Sequence, residues 1–188
     1  MQASIWDRRR KAPFHFLAKS ENARMSAYLL SNLATPTAEQ LATEAGYKGN
    51  INVVLGEAFK REASIALELI LKAILCIKAR SAPTPSHDVY KLWQLAGLPK
   101  LTDEDYIRLI EMTEILYWAG RYAAPTKDKH LEKARAQRKA HAPTSDKKNG
   151  ITIKPLIRLG WDEFAAIYEI ASGYFWDLKP NDPDNFVT

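Results

Sequence analysis

Three groups of residues in this chain have the types and spacing for chemistry beyond core building. The first is Ser86-His87-Asp88, which follows the proline-punctuated stretch Pro83-Thr84-Pro85. Ser86 is a candidate helix N-cap there and Asp88 suits the positive first turn. His87, between them, has the right place to face a cleft and to bind or transfer a proton. The second group is Trp118, Gly120, Arg121 and Tyr122. Gly120 fits a helix C-cap and Arg121 the negative end of the helix dipole. The same guanidinium, presented at a helix end, makes a fork for a phosphate or carboxylate. The third group is the basic run 127–148, with eight Lys or Arg and three Asp or Glu. Lys127, Lys133, Arg135, Arg138 and Lys139 are candidates for phosphate contact, which predicts binding that falls steeply with salt. The alternative reading of this run is a solvated basic loop. No aromatic residue lies between Tyr122 and Trp161, so the run has no stacking platform of its own and Tyr122 is the nearest stacker.

Other chemistries find no support. His15, His87, His130 and His141 have neither cysteine partners nor a one-turn His–His spacing, so no metal site is expected. There is no glycine-rich phosphate cradle, no nucleophile elbow and no zinc-protease motif, and no cofactor is expected. The single cysteine, Cys76, falls in an apolar stretch and reads as a small core residue in a reducing compartment.

The elements that must position these groups are helical. The chain has 188 residues, 46% apolar and 26% charged, an ordinary globular composition that predicts one domain over 1–188. Its longest apolar stretch, 67–77, is broken by Glu68 and Lys72, so no membrane span is expected. Residues 1–11 hold three arginines and a lysine with no apolar run behind them; this is no secretory signal, and a cytoplasmic protein is expected.

Residues 1–15 read as an arm. Ser20 is a candidate cap for a helix to about Leu33, with Met25, Tyr28, Leu29 and Leu33 on one face. Thr37 and Gln40 have capping-box spacing for a short helix that stops at Gly46. From about 50 to 79 the chain is apolar nearly all round, which predicts a central helix covered by sister helices or a second subunit. Glu68 and Lys72, four apart, are in the favourable order for a supporting ion pair. A helix from Ser86 ends near Gly97. Thr102 opens another, with Tyr106, Leu109, Ile110, Thr113, Leu116 and Tyr117 on one stripe, that ends at Gly120. Residues 126–150 read as a basic loop or insertion in which 130–140 favours a helix without an apolar stripe; 151–159 reads as extended. The last helix runs from Trp161 to about Asp177, and 179–188 is an irregular tail. Short connections favour antiparallel neighbours, so the fold expected is an all-α, up-down bundle of four to five helices.

The long helix, the His87-Asp88 pair and the Arg121-Tyr122 terminus, in this order, resemble the HEPN domain family. The likeness spans about 56–125 and rests on the 62–75 stretch of the long helix, on Ser86-His87-Asp88, and on Trp118, Arg121, Tyr122 and Pro125. It implies a HEPN-like bundle, commonly a homodimer, that binds a nucleotide or RNA through Arg121, Tyr122, His87, Asp88 and the basic segment, in some members beside a nucleotidyltransferase-like partner protein. Some family members are metal-independent ribonucleases, including toxin and defence proteins of toxin–antitoxin type. These use an arginine and a histidine four to six residues apart. Here Arg121 and His130 have eight residues between them, and Arg135 and His141 have five. The ribonuclease reading therefore names Arg121 with His130 as catalytic, or Arg135 with His141. A third reading is a helical protein–protein interaction module without a ligand, built on the apolar helix.

Overall fold

A computed structural model describes residues 5, 9, 11–119, 128–142, 146–148, 151–153 and 157–180. Helix α1 (Pro13–Asn32) opens on a proline, whose missing N–H costs nothing in a first turn. Ser20 is therefore inside the helix and caps nothing. It is buried, 2.7 Å from the carbonyl oxygen of Ala66 and 2.8 Å from the Tyr168 hydroxyl. The face formed by Met25, Tyr28, Leu29 and Leu33 points outward, with Met25 54% and Leu29 59% exposed. What α1 buries is Leu17, Ser20, Ala23 and Ala27. The small size of Ser20, Ala23 and Ala27 lets the helix lie close along the central one, a preference that a search for large apolar residues does not see. Helix α2 (Thr35–Glu44) carries Pro36 in its first turn, so Thr37 lies inside it rather than at its cap. It ends before Gly46, whose φ of 70° is the left-handed conformation that glycine adopts without strain.

Helix α3 (Ile51–Ala79) is the central element, opened by Asn50, whose side chain accepts from the amide of Asn52. Phe59, Ala63, Leu67, Ile70, Leu71 and Ile74 are buried on several sides of it, and α1 and the helices that follow α3 provide the cover. The Cys76 thiol is buried and its pKa is pushed up to about 11 by desolvation, which fits a packing residue. After Pro83 and Pro85 comes α4 (Val89–Ala96), capped by Asp88, whose carboxylate accepts from the Lys91 amide at 2.9 Å. Ser86 stands two residues too early to cap; its hydroxyl accepts from the Asp88 amide instead. At the other end, Lys78 donates to the Ala96 carbonyl and Gly97 takes a left-handed φ.

Helix α5 (Asp103–Glu114) has the expected Thr102 cap and three acids in its first turn. It widens into a π-helical turn (Ile115–Ala119) instead of running on as α-helix. Helix α6 (Asp128–Ala140) covers the helix-favouring part, 130–140, of the segment that otherwise read as a basic loop or insertion. A small antiparallel pair follows, β1 (Asp146–Lys148) and β2 (Ile151–Ile153), with Lys147 opposite Thr152. Helix α7 (Trp161–Asp177) buries Phe164, Ile167, Tyr168, Ala171 and Phe175 at the expected spacing. Apart from that strand pair the architecture is an all-α bundle around α3, which packs with α1, α4, α5 and α7, while α6 rests on α5. No described helix is long and apolar enough to cross a membrane.

Candidate functional site

Two charged residues sit where the core should be apolar. Glu68 and Lys72, in the middle of α3, are only 6% and 8% exposed and pair at 2.6 Å. Desolvating two charges costs several kcal/mol per ion, roughly what their attraction returns, so the pair is not explained by stability. Its further partner is His87. Nδ1 of that imidazole lies 3.1 and 3.2 Å from the two oxygens of Glu68. The His87 side chain is 44% exposed, and among the described residues its Nε2 makes no hydrogen bond. One residue on, Asp88 is 2% exposed, caps α4 and receives the ammonium of Lys133 from α6.

Beside these lies a cleft of about 190 Å³ between α5, the π-helical turn and α6. Asp88 and Thr113 form part of its floor, Tyr117 a wall, and Lys129, His130 and Gln137 its α6 side. Tyr117 projects from the widened turn, a distortion that recurs at functional positions because the extra residue re-aims the side chains around it. The rings of Tyr117 and His130 meet edge to face with centroids 4.6 Å apart, and His87 meets Tyr117 edge-on at 6.2 Å. Two imidazoles thus flank one phenol, His130 within the cleft lining and His87 outside it.

Helix α6 reaches this place by charge rather than by apolar burial. Ala134 is its one buried residue. Lys133 pairs with Asp88 and Arg138 with Glu114. Just beyond its end, His141 stacks on Tyr106 with centroids 4.6 Å apart. The Nδ1 of His141 lies 2.8 Å from Asp103 and its Nε2 3.1 Å from the Tyr90 hydroxyl.

Of the residues singled out in the sequence, the structure brings together His87, Asp88, His130 and Lys133. Arg138 is tied to Glu114, and Arg135 is exposed on α6. Arg121, Tyr122 and Lys127 lie outside the described residues. In the Arg135–His141 pair, both ring nitrogens of His141 are engaged within the bundle. Glu68 and Tyr117 were not expected at a site. A charged residue inside an otherwise apolar helix was the available signal for Glu68; Tyr117 gave none, since its stripe position reads as core. Among the described residues no group of three or more His, Cys, Asp or Glu side chains gathers as metal ligands. Comparison with family models, with curated proteins and with solved structures finds no match to this chain.

Proposed function

We propose that this protein binds RNA at the cleft between α5 and α6. Tyr117 offers a ring face to a base, Lys129 and His130 meet the phosphate, and Arg135 and Lys139 carry the strand along the outer face of α6. The observation that carries the reading is the Tyr117–His130 edge-to-face pair, 4.6 Å apart, in an open cleft with Lys129 on its rim. The cleft volume of about 190 Å³ is below the roughly 300 Å³ at which drug-sized ligand pockets begin. It suits one base or one phosphate of a longer strand and is too small for a dinucleotide cofactor. Lys129, Arg135 and Lys139 form no ion pair among the described residues, so their charge is available to a polyanion. Arg121 and Tyr122, just before α6 in the chain, belong to the same proposal through the HEPN resemblance.

Fluorescence anisotropy with a labelled oligouridylate tests this. Tyr117→Leu should weaken binding by about 1–3 kcal/mol, the worth of one stacked base. Arg135→Ala with Lys139→Ala should lower the slope of log affinity against log salt by about 1.4, as expected for two lost phosphate contacts to a single strand. No binding at low salt by the wild-type protein overturns the proposal.

The homodimer that the resemblance implies has its own observation to rest on. An opening of about 310 Å³ between α2 and the start of α3 is lined by Leu33, Leu41, Tyr47, Ile51, Val54 and Leu55. Exposed Val53 adjoins it. Apolar surface of this kind on a small domain is suited to an isologous contact with a second copy. Sedimentation should find a dimer that Leu41→Glu with Val54→Glu converts to monomer; a wild-type monomer at every concentration excludes it.

A further inference from the structure

The cleft between α5 and α6 holds polar capacity that contacts within the chain leave unused. Asp88 is taken at both oxygens, by the Lys91 amide and by Lys133. The Thr113 hydroxyl donates to the Leu109 carbonyl. Glu114 differs. It is 9% exposed and its Oε2 receives Arg138, but its Oε1 makes no hydrogen bond among the described residues. A buried carboxylate oxygen without a donor costs free energy unless something else supplies one. Gln137 also lines the cleft, and its side-chain amide is unengaged among the described residues. Because Arg138 pairs with Glu114, the turn of α6 that carries Gln137 is set against the end of α5. The apolar part of the lining, Ile110, Tyr117 and Ala134, suits the faces of a flat ring. For the edge of that ring there remain two acceptors, Oε1 of Glu114 and Oε1 of Gln137, and one donor, the Gln137 NH2.

We infer that the cleft selects an amino base, adenine or cytosine, over a keto base, uracil or guanine, with Glu114 and Gln137 as the specificity-determining residues. The inference rests on the RNA-binding reading above. Adenine and cytosine both carry an exocyclic NH2 next to a ring nitrogen that accepts. The two hydrogens of that amine meet Glu114 and Gln137, while the Gln137 NH2 donates to the ring nitrogen. This is the bidentate pairing by which an amide side chain reads adenine, with a carboxylate added for the second hydrogen. One base then satisfies all three protein groups. Uracil and guanine present a carbonyl beside a ring N–H instead. The N–H serves one acceptor and the carbonyl receives the Gln137 NH2, so the other acceptor is left without a donor. The amine of guanine is no substitute, since it lies on the ring edge nearest the ribose, where the strand runs. Lys129 and His130 take no part in the selection, because the phosphate they meet is common to every nucleotide.

The test uses the full chain and a short labelled oligouridylate whose central nucleotide is replaced in turn by A, C, G or purine riboside. Strands with A or C should bind about tenfold tighter than the all-U strand, within the range of one good bidentate base contact, and the G strand should stay with all-U. Stacking on Tyr117 alone would give a different order, both purines ahead of both pyrimidines, because the larger ring covers more of the phenol. Purine riboside keeps the ring nitrogens of adenosine and lacks the amine, so it should fall to the all-U level. Gln137→Met has nearly the same shape without the amide, and should bring the ratio of A-strand to all-U affinity close to one. A purine-first order, equal affinity for all strands, or a preference for A and C that survives Gln137→Met overturns the base selection and leaves RNA binding standing. No binding of any strand at low salt overturns both.

Discussion

At the scale of single residues, the Glu68–Lys72 pair separates what a sequence shows from what burial decides. The i, i+4 spacing was legible, and on a solvated helix it would be worth a few tenths of a kcal/mol. Inside the bundle the same pair is 6% and 8% exposed, and its energetics are different in kind. Removing one partner strands a charge away from water, whereas removing both leaves a larger apolar core. Lys72→Met should therefore destabilise the protein by about 3–5 kcal/mol, while Glu68→Leu combined with Lys72→Met should be close to neutral. Urea unfolding of the two variants checks this, and equal destabilisation in both would show that the pair is held by packing. The double variant also removes the partner of His87, and it should fold normally. His87 and Asp88 were both visible in the sequence as neighbours. The fold moves the cap from Ser86 to Asp88 and carries His87 to Glu68 of α3.

Among the elements, α6 was the least legible. Its composition favours a helix, but with Ala134 as its one buried residue it has no apolar stripe, and periodicity is what marks a helix as docked. What docks it is a set of long-range pairs. Lys133 meets Asp88 forty-five positions away and Arg138 meets Glu114 twenty-four away. Such pairings are invisible to any local window. They also predict how the helix behaves. In both pairs the carboxylate is buried and the cation about half exposed, and the exposed end lets added salt weaken the attraction. The amides of α6 should accordingly exchange with deuterium faster as salt is raised, while those of the apolar α3 do not change. Lys133→Ala should produce the same acceleration at low salt; protection of α6 that ignores both salt and this substitution would mean that apolar contacts hold it. The helices that were legible are α3, apolar nearly all round, α4, α5 and α7, with large apolar residues at the helical period, and α2, from its turn and cap residues. Helix α1 was found, but with its start read at Ser20 instead of Pro13 and the wrong face inward, because most of what it buries beyond Leu17 is small and carries little periodic signal.

The bundle as a whole is tied together at one polar point that the sequence could not reveal. Tyr168 of α7 donates to Glu21 of α1 at 2.9 Å and lies 2.8 Å from Ser20, which itself contacts the Ala66 carbonyl of α3. Three helices separated by as many as 148 positions in sequence meet there. Tyr168 was expected from its spacing to be core, which it is, but its hydroxyl needs partners because a buried polar group without them costs about 1–3 kcal/mol. Burial raises the pKa of this phenol well above its ordinary value of 10.0, since the phenolate would lose its hydration. The consequence for stability has a definite sign. Below about pH 10 the phenol is protonated in folded and unfolded chains alike, and pH has no leverage through it. Above that pH the unfolded chain gives up the proton while the folded chain keeps it. Folding is then penalised, by up to about 1.4 kcal/mol for each further pH unit. Tyr168→Phe removes the titrating group together with its hydrogen bonds. The wild-type protein should be the more stable of the two at neutral pH, and its advantage should shrink as pH rises from about 10 toward the raised native value. Denaturant midpoints of the two proteins across that range measure the difference directly. A difference that stays constant with pH would place the Tyr168 hydroxyl in water, and the three-helix junction with it.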